Sequence, residues 1–484
     1  MTTQSSLLLR REGNGRAVLW VGLLVLLGLL LLASRGRAQT LEPAPGAAVT
    51  TVTPDPGFFT EPSIAVNPRD PQQVVAAYQD NAHIAYSLDA GRHWQLATGT
   101  ASTRYRVSGD VSVVYDARGH AILCYMAFDK LGTFGYWGHN SSRNGLYVRR
   151  SLDGGKTWEK DDISVIHHPT EPGVPWEDKP YIVADDSHGP SAGNLYIGWT
   201  RWTLTGSLIM FTRSTDGGAT WSQPIEIDDG PGLPRDDNGG LEGFDGAVGP
   251  RSTLYVVWNN GTHVVFTDSH DGGRSFARPR EIISTGPPAF GVEAVPRANG
   301  FAQIGIDPRS GRLFVTWSDY RYGEVDVFCS TSANRGRTWS PAVKVNADPA
   351  HDGTDHFFQW LAVDPSTGDA YVLFYDRRGD PTNRSQIVAL ARSTDGGRSF
   401  QNYAWTETPF TDQMAGRSAF MGDYTGIAAL DGRVYGVWTV KPAPPPGPMP
   451  PFAPGRPSAA NRAEFEKYAG TQIQVGVADF AAKK

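Results

Sequence analysis

Carboxylate and guanidinium groups recur along this 484-residue chain in a pattern that could gather them into one site. Glu61, Asp110, Asp178, Glu242, Asp355 and Asp423 each stand near the start of an apolar run. A second set follows the next apolar run: Asp80, Asp129, Arg201 in "WTRW", Asp319 with Arg321 in "SDYRYG", and Asp376 with Arg377 and Arg378 in "YDRRGD". Carboxyl groups brought together can divide the roles of proton donor and acceptor. Arginines from several segments can grip a carboxylate or sulfate two-pronged. Equally, each arginine could pair with an acid and brace neighbouring elements, a common use of ion pairs. The choice depends on the elements that carry them.

Those elements repeat. "STDGGATW" at 214–221 has counterparts in "SLDAGRHW" (87–94), "SLDGGKTW" (151–158), "SHDGGRSF" (269–276), "SANRGRTW" (332–339) and "STDGGRSF" (393–400). A period of roughly 55 to 65 residues marks an array whose units bury their apolar faces by stacking on one another. Two apolar runs precede each box, as in "EPSIAVNP" then "QVVAAYQD", or "FAQIGIDP" then "RLFVTWSD". A third strand leads into the box and a fourth leaves it, so each unit reads as a four-stranded antiparallel propeller blade, and the chain as all-β.

A seventh unit lacks the box: "GDYTGIAAL" (422–430), "RVYGVWTV" (433–440) and, after a Pro-rich insertion at 441–457, "TQIQVGVADF" (471–480). Its missing fourth strand is expected from "AVTTVTP" (48–54), which would close the ring and remove a free sheet edge. The pattern predicts seven blades, with six as the alternative. Chain direction then puts the starts of the first strands and the ends of the second on one upper face, with the boxes beneath.

Composition agrees with short strands and many turns: 55 Gly, 35 Pro, 14 Trp and 18 Tyr, with 19% charged residues. A formal charge of −6 and the absence of Lys/Arg runs argue against a nucleic-acid partner. Arg10, Arg11 and Arg16 precede the apolar segment "AVLWVGLLVLLGLLLLA" (17–33). Residues 1–38 therefore read as a cleaved export signal or an uncleaved membrane anchor, and residues 39–484 as one extracytoplasmic propeller. Cys124 and Cys329 fall three blades apart, too far for a disulfide, and are expected to be reduced and buried.

In each box the glycines permit positive φ, the Asp can accept hydrogen bonds from turn amides, and the aromatic can pin the turn to its blade. The pattern resembles the Asp-box (BNR) repeat of the sialidase superfamily, over about residues 55–480. Asp89, Asp153, Asp216, Asp271, Asn334 and Asp395 are assigned to the turns. The resemblance implies a Tyr nucleophile with a Glu partner, an Asp acid and an arginine clamp. It places Tyr424, Glu293 and Asp80 in the catalytic roles, and Arg321, Arg377, Arg378, Arg417 and Arg201, with Asp178 and Asp423, around the substrate. Where that family carries a Phe/Tyr-Arg-Ile-Pro motif, this chain reads "FFTEPSIAV" (58–66).

Two functions follow: a sialidase-type exo-glycosidase for sialylated or other anionic glycans, or a non-catalytic propeller that binds a glycan or protein. No cofactor or metal is expected. "HDGTDH" (351–356) and the acids at 228–238 read as polar loops. The protein is expected to be a monomer that meets the membrane only through its N-terminal segment.

Overall fold

The computed structural model describes residues 40–79, 81–100, 102–105, 107–129, 143–169, 175–234, 239–286, 291–293, 295–411, 413–414, 417–418, 420–447 and 465–481. The compact body spans Leu41–Lys484. It is a seven-bladed propeller of four-stranded antiparallel blades. The first, innermost strands (A) are Thr60–Val66, Val107–Tyr115, Trp176–Ala184, Glu242–Gly249, Gln303–Asp307, His356–Val363 and Gly426–Leu430 for blades 1 to 7. Strands B, C and D follow outward in chain order in blades 1 to 6. In blade 7 the outermost strand is Ala48–Thr51, paired antiparallel to Gln472–Asp479 with Ala48 opposite Val477 and Thr51 opposite Gln474. The expected closure forms, and the last blade loses its open edge.

The repeat is kept residue by residue. Counted from the position that pairs with the box serine (Val74 with Ser87, Ala121 with Ser151, Leu195 with Ser214, Leu254 with Ser269, Leu313 with Ser332, Ala370 with Ser393), the fifth residue of strand B is aromatic in every boxed blade. These residues are Tyr78, Tyr125, Trp199, Trp258, Trp317 and Phe374, with Trp438 as the counterpart in blade 7, and all are buried. Among the described residues most apolar clusters lie between two neighbours, as where Ile122, Cys124 and Met126 of blade 2 meet Ile182, Ile197 and Trp199 of blade 3, while one gathers Val325, Trp360 and Trp438 of blades 5, 6 and 7. Stability is therefore assembled blade against blade. Both cysteines are free and buried.

The six eight-residue turns share one hydrogen-bond scheme. In blade 3, Ser214 Oγ donates to Asp216 Oδ1, Gly218 N donates to Ser214 Oγ, and Thr220 N and Oγ1 donate to the two Asp216 oxygens at 2.9 and 2.6 Å. In blade 5, Asn334 Oδ1 still accepts from Thr338 N, while Nδ2 donates to Thr338 Oγ1. The turn aromatics reach sideways onto the preceding blade: Phe276 meets Phe211 at 4.8 Å and Trp339 meets Phe266 at 5.7 Å. The second turn glycine allows that approach. At Gly155, φ +94°, a Cβ would lie 2.2 Å from Val75 of the previous blade. Each turn thus staples a hairpin and also seals a blade interface.

Register separates the two faces. Thr60 opposes Gln79 where strand A starts and B ends, and Val74 opposes Ser87 at the other end, where the turn begins. The turns lie on the face opposite the strand A starts, as chain direction predicts.

Candidate functional site

Near its upper end strand A carries a bulge in blades 1, 2, 3, 4 and 6, between Thr60/Ser63, Gly109/Ser112, Asp178/Tyr181, Glu242/Asp245 and Phe357/Trp360. A bulge inserts an extra residue and re-aims side chains. The residue after the first bulge position has left-handed backbone each time: Glu61 (φ 52°), Asp110 (46°), Lys179 (47°), Gly243 (79°) and Phe358 (53°). Sequence comparison aligns Asp178 and Glu242 with Glu61 and Asp110. By register, their equivalents are Lys179 and Gly243, one residue later. Just beyond the bulge, side chains knit neighbouring A strands: Val113 N donates to Ser63 Oγ, Ile182 N to Ser112 Oγ, and Ile304 N to Asp245 Oδ2.

Three carboxyl groups from blades 1 to 3 form a run. Asp110 stands between Glu61 and Asp178, within side-chain hydrogen-bonding reach of each. Glu61 is held well above the ordinary carboxyl range by burial, then by the charges of Asp110 and Asp423. Asp178 is raised by burial and by Asp110, although Trp202 Nε1 donates to its Oδ2 at 2.8 Å. Lys179 N donates to Asp110 Oδ2 at 3.0 Å and to Asp178 Oδ1 at 3.1 Å. Like charges this close share protons instead of ionising together. Asp245, in blade 4, is pushed by burial to about 7.

Tyr424 of blade 7 closes the site. It is buried beside Trp360, with ring centroids 5.6 Å apart. Its phenol is held well above the usual tyrosine range by burial and by Asp110, Glu61, Asp423 and Asp178. The Lys179 ammonium lies 4.2 Å from its ring, 4.7 Å from that of Phe301 and 5.4 Å from that of Trp360. Asp423 receives Arg297 Nη2 at 2.5 Å. The site can therefore hold and pass protons among three carboxyls and a phenol, against an aromatic wall.

The sequence-assigned residues divide. Tyr424, Asp178 and Asp423 are in this group. Glu293 is exposed and pairs with Arg384 at 2.6 Å; Glu61, not Glu293, is the glutamate whose charge bears on Tyr424. Arg201 pairs with buried Glu177 at 2.7 Å, Arg321 with Asp319 at 2.5 Å, and Arg378 with Asp376 at 2.6 Å. Arg377 is buried, bonded to the carbonyls of Asn383 and Glu293 and to Gln386. These four arginines take the bracing role that the sequence left open. Asp355 joins blades 5 and 6, accepting from Val325 N and Asn383 Nδ2. Asp80 and the Arg417 side chain lie outside the described residues. Sequence reasoning missed Lys179, Arg297, Asp245, Phe301 and Trp360. Lys179 was legible only as the Lys-Pro of "EDKPYI", which matches the Glu-Pro of "TEPSI".

Among the described residues one group has metal-ligand spacing: Asp326, Asp348 and His356, all buried, with potential ligand atoms within 4.8 Å of one another. "HDGTDH" is therefore no simple loop, because His356 opens strand A of blade 6. The cations are already present: Lys344 Nζ is 2.9 Å from Asp326 and 3.3 Å from Asp348, and Arg378 binds Asp376. Burial would push the His356 imidazole down, but Asp376 and Asp348 outweigh it and hold it raised. Three acids then face three cations, a balanced ionic joint between blades 5 and 6.

No family model matches the chain, and no curated protein matches it in sequence. Among solved structures, it is similar to the phage phi92 endosialidase at 11% identity, over 90% of this chain and 69% of that one, with a TM-score of 0.50. It is also similar to the Hadza microbial sialidase Hz136 (16% identity, 85% and 74% covered, TM-score 0.46) and to an ulvan lyase (12%, 81% and 93%, 0.47). At such identities the likeness is one of fold.

Proposed function

We propose that this chain is an extracytoplasmic, sialidase-like propeller, a glycosidase whose chemistry sits on the ring axis at Glu61, Asp110, Asp178 and Tyr424. The observation that carries the reading is the run of three neighbouring carboxyls on consecutive blades, two of them bridged by the Lys179 amide, beside a buried tyrosine. Glycosidic cleavage needs a proton for the leaving oxygen and a second group to attack or to activate water. Protonated Glu61 or Asp178 can supply the proton, and Asp110 between them can relay it. Tyr424 with Glu61 takes the nucleophile and partner roles that the Asp-box resemblance gives that family. The hydrogen-bonded turns at Asp89, Asp153, Asp216, Asp271, Asn334 and Asp395 fit the same superfamily. Export rests on residues 1–38, all outside the described residues. No helix among the described residues is long and apolar enough to cross a membrane. The partner in this reading is a glycan and the protein a monomer.

One observation favours a second reading, a non-catalytic glycan- or protein-binding propeller: Arg201, Arg321 and Arg378 are spent on their own blades' acids, so no clamp of the sialidase type forms from them. A fluorogenic sialoside and a panel of other glycosides decide between the two. Turnover abolished by Tyr424→Phe and by Glu61→Gln supports the glycosidase. Glycan binding with no turnover on any substrate would leave the binder.

A further inference from the structure

Among the described residues of the upper face, the use of one cation, Lys179, is not explained by the fold. Arg201, Arg297, Arg321 and Arg378 each end on a carboxylate, and Arg377 on carbonyls. Lys179 is 5% exposed, yet among the described residues no carboxylate lies within ion-pair distance of its ammonium. Three aromatic faces surround it instead. Cation–π contact at a desolvated site contributes about 2 kcal/mol, which only partly offsets the burial of an unpaired charge. Its backbone adds strain. A left-handed φ costs a side-chain-bearing residue roughly 1–2 kcal/mol, and glycine avoids that cost. Blade 4 places Gly243 at this point, whereas blade 3 places a lysine, as blades 1, 2 and 6 place Glu61, Asp110 and Phe358. A buried ammonium held by three aromatic faces, with no described carboxylate within ion-pair distance and its charge felt at Asp245, argues for a role in binding.

We infer that Lys179 is the residue through which the axis site reads an anionic substituent, a carboxylate or a sulfate ester, on a sugar seated there. It would take the part that the sequence comparison gave to arginines. The inference rests on the glycan reading above for the sugar, and on Lys179 alone for the anion. Glu61 and Asp178 favour it, because as protonated carboxyls they present O–H donors to an incoming anion instead of competing charges. An ion pair that also receives hydrogen bonds in a partly desolvated site discriminates by about 10- to 100-fold.

The test is calorimetric titration of the full-length protein with sodium glucuronate, glucose 6-sulfate and glucose at matched ionic strength. The expected result is that either anionic sugar binds at least about tenfold more tightly than glucose. Lys179→Met, which fills the aromatic cage without charge, should abolish the preference, and Lys179→Arg should retain it. Equal binding of charged and neutral sugars by the wild type, no binding of any of them, or a preference that survives in K179M would overturn the inference. Glycoside assays on the same preparations read the parent proposal separately. A Lys179-dependent preference without turnover sinks the glycosidase and leaves this inference standing. Turnover of neutral and anionic glycosides equally unaffected by K179M does the reverse.

Discussion

The Lys179 ammonium, sent inward from blade 3, ends 4.2 Å from the centre of the Tyr424 ring in blade 7. Opposite arcs of the ring thus meet through one cation and one aromatic face. Trp360 of blade 6 backs both, and also Tyr181 of blade 3 at 5.7 Å. Trp360→Ala should therefore cost about 3–5 kcal/mol, as deletion of a buried aromatic generally does, whereas Trp360→Phe should cost much less. Urea unfolding of the two variants measures the difference; equal losses would mean that a phenyl ring recovers none of the indole's packing.

Asp216 accepts three hydrogen bonds that hold its turn. Asp216→Ala should lower stability by about 1–2 kcal/mol, comparable with loss of a helix cap. The turn acids also link stability to pH. The Asp271 and Asp395 carboxyls sit near 2: burial opposes ionisation, and hydrogen bonds from the turn outweigh it. Their contribution is complete above the unfolded value of about 3.9 and is lost as pH falls toward 2. Melting curves between pH 5 and about 2 should steepen in the wild type and flatten when both acids are replaced by asparagine.

At the joint between blades 5 and 6, His356 faces Asp326, Asp348 and Asp376, with Lys344 and Arg378 completing the balance. A raised imidazole stabilises the fold fully below the unfolded value of about 6.5, and that contribution disappears as pH rises through the folded one. Urea midpoints taken from pH 6 to about 9 should fall, and His356→Gln should be less stable at pH 6 with a shallower slope. An unchanged slope in H356Q would show that the imidazole is neutral throughout.

Closure depends on a four-residue strand, Ala48–Thr51. Deleting residues 40–52 strips the outer edge from Gln472–Asp479 and should lower the melting temperature and promote association through the exposed edge. Light scattering and thermal melts report both. A deletion that stays monomeric with an unchanged melt would assign the strand no part in closing the ring.

Much of this molecule follows from its letters, because the repeat is local. A box serine paired at the start of strand B sets the register, short apolar runs set the strands, and turn glycines set the hairpins. Blade number, closure by residues 48–54 and the face opposite the turns could thus be read without a structure. The axis site could not. Pairing register at the shared bulge puts Lys179, one residue after Asp178, level with Glu61 and Asp110. The arginines were visible, and so were Asp319 and Asp376, two residues from Arg321 and Arg378; Glu177 comes within reach of Arg201 only once strands A and B of blade 3 have paired. The cage of Phe301, Trp360 and Tyr424 joins residues from three blades around a lysine from a fourth, a relation that exists only when the ring is closed.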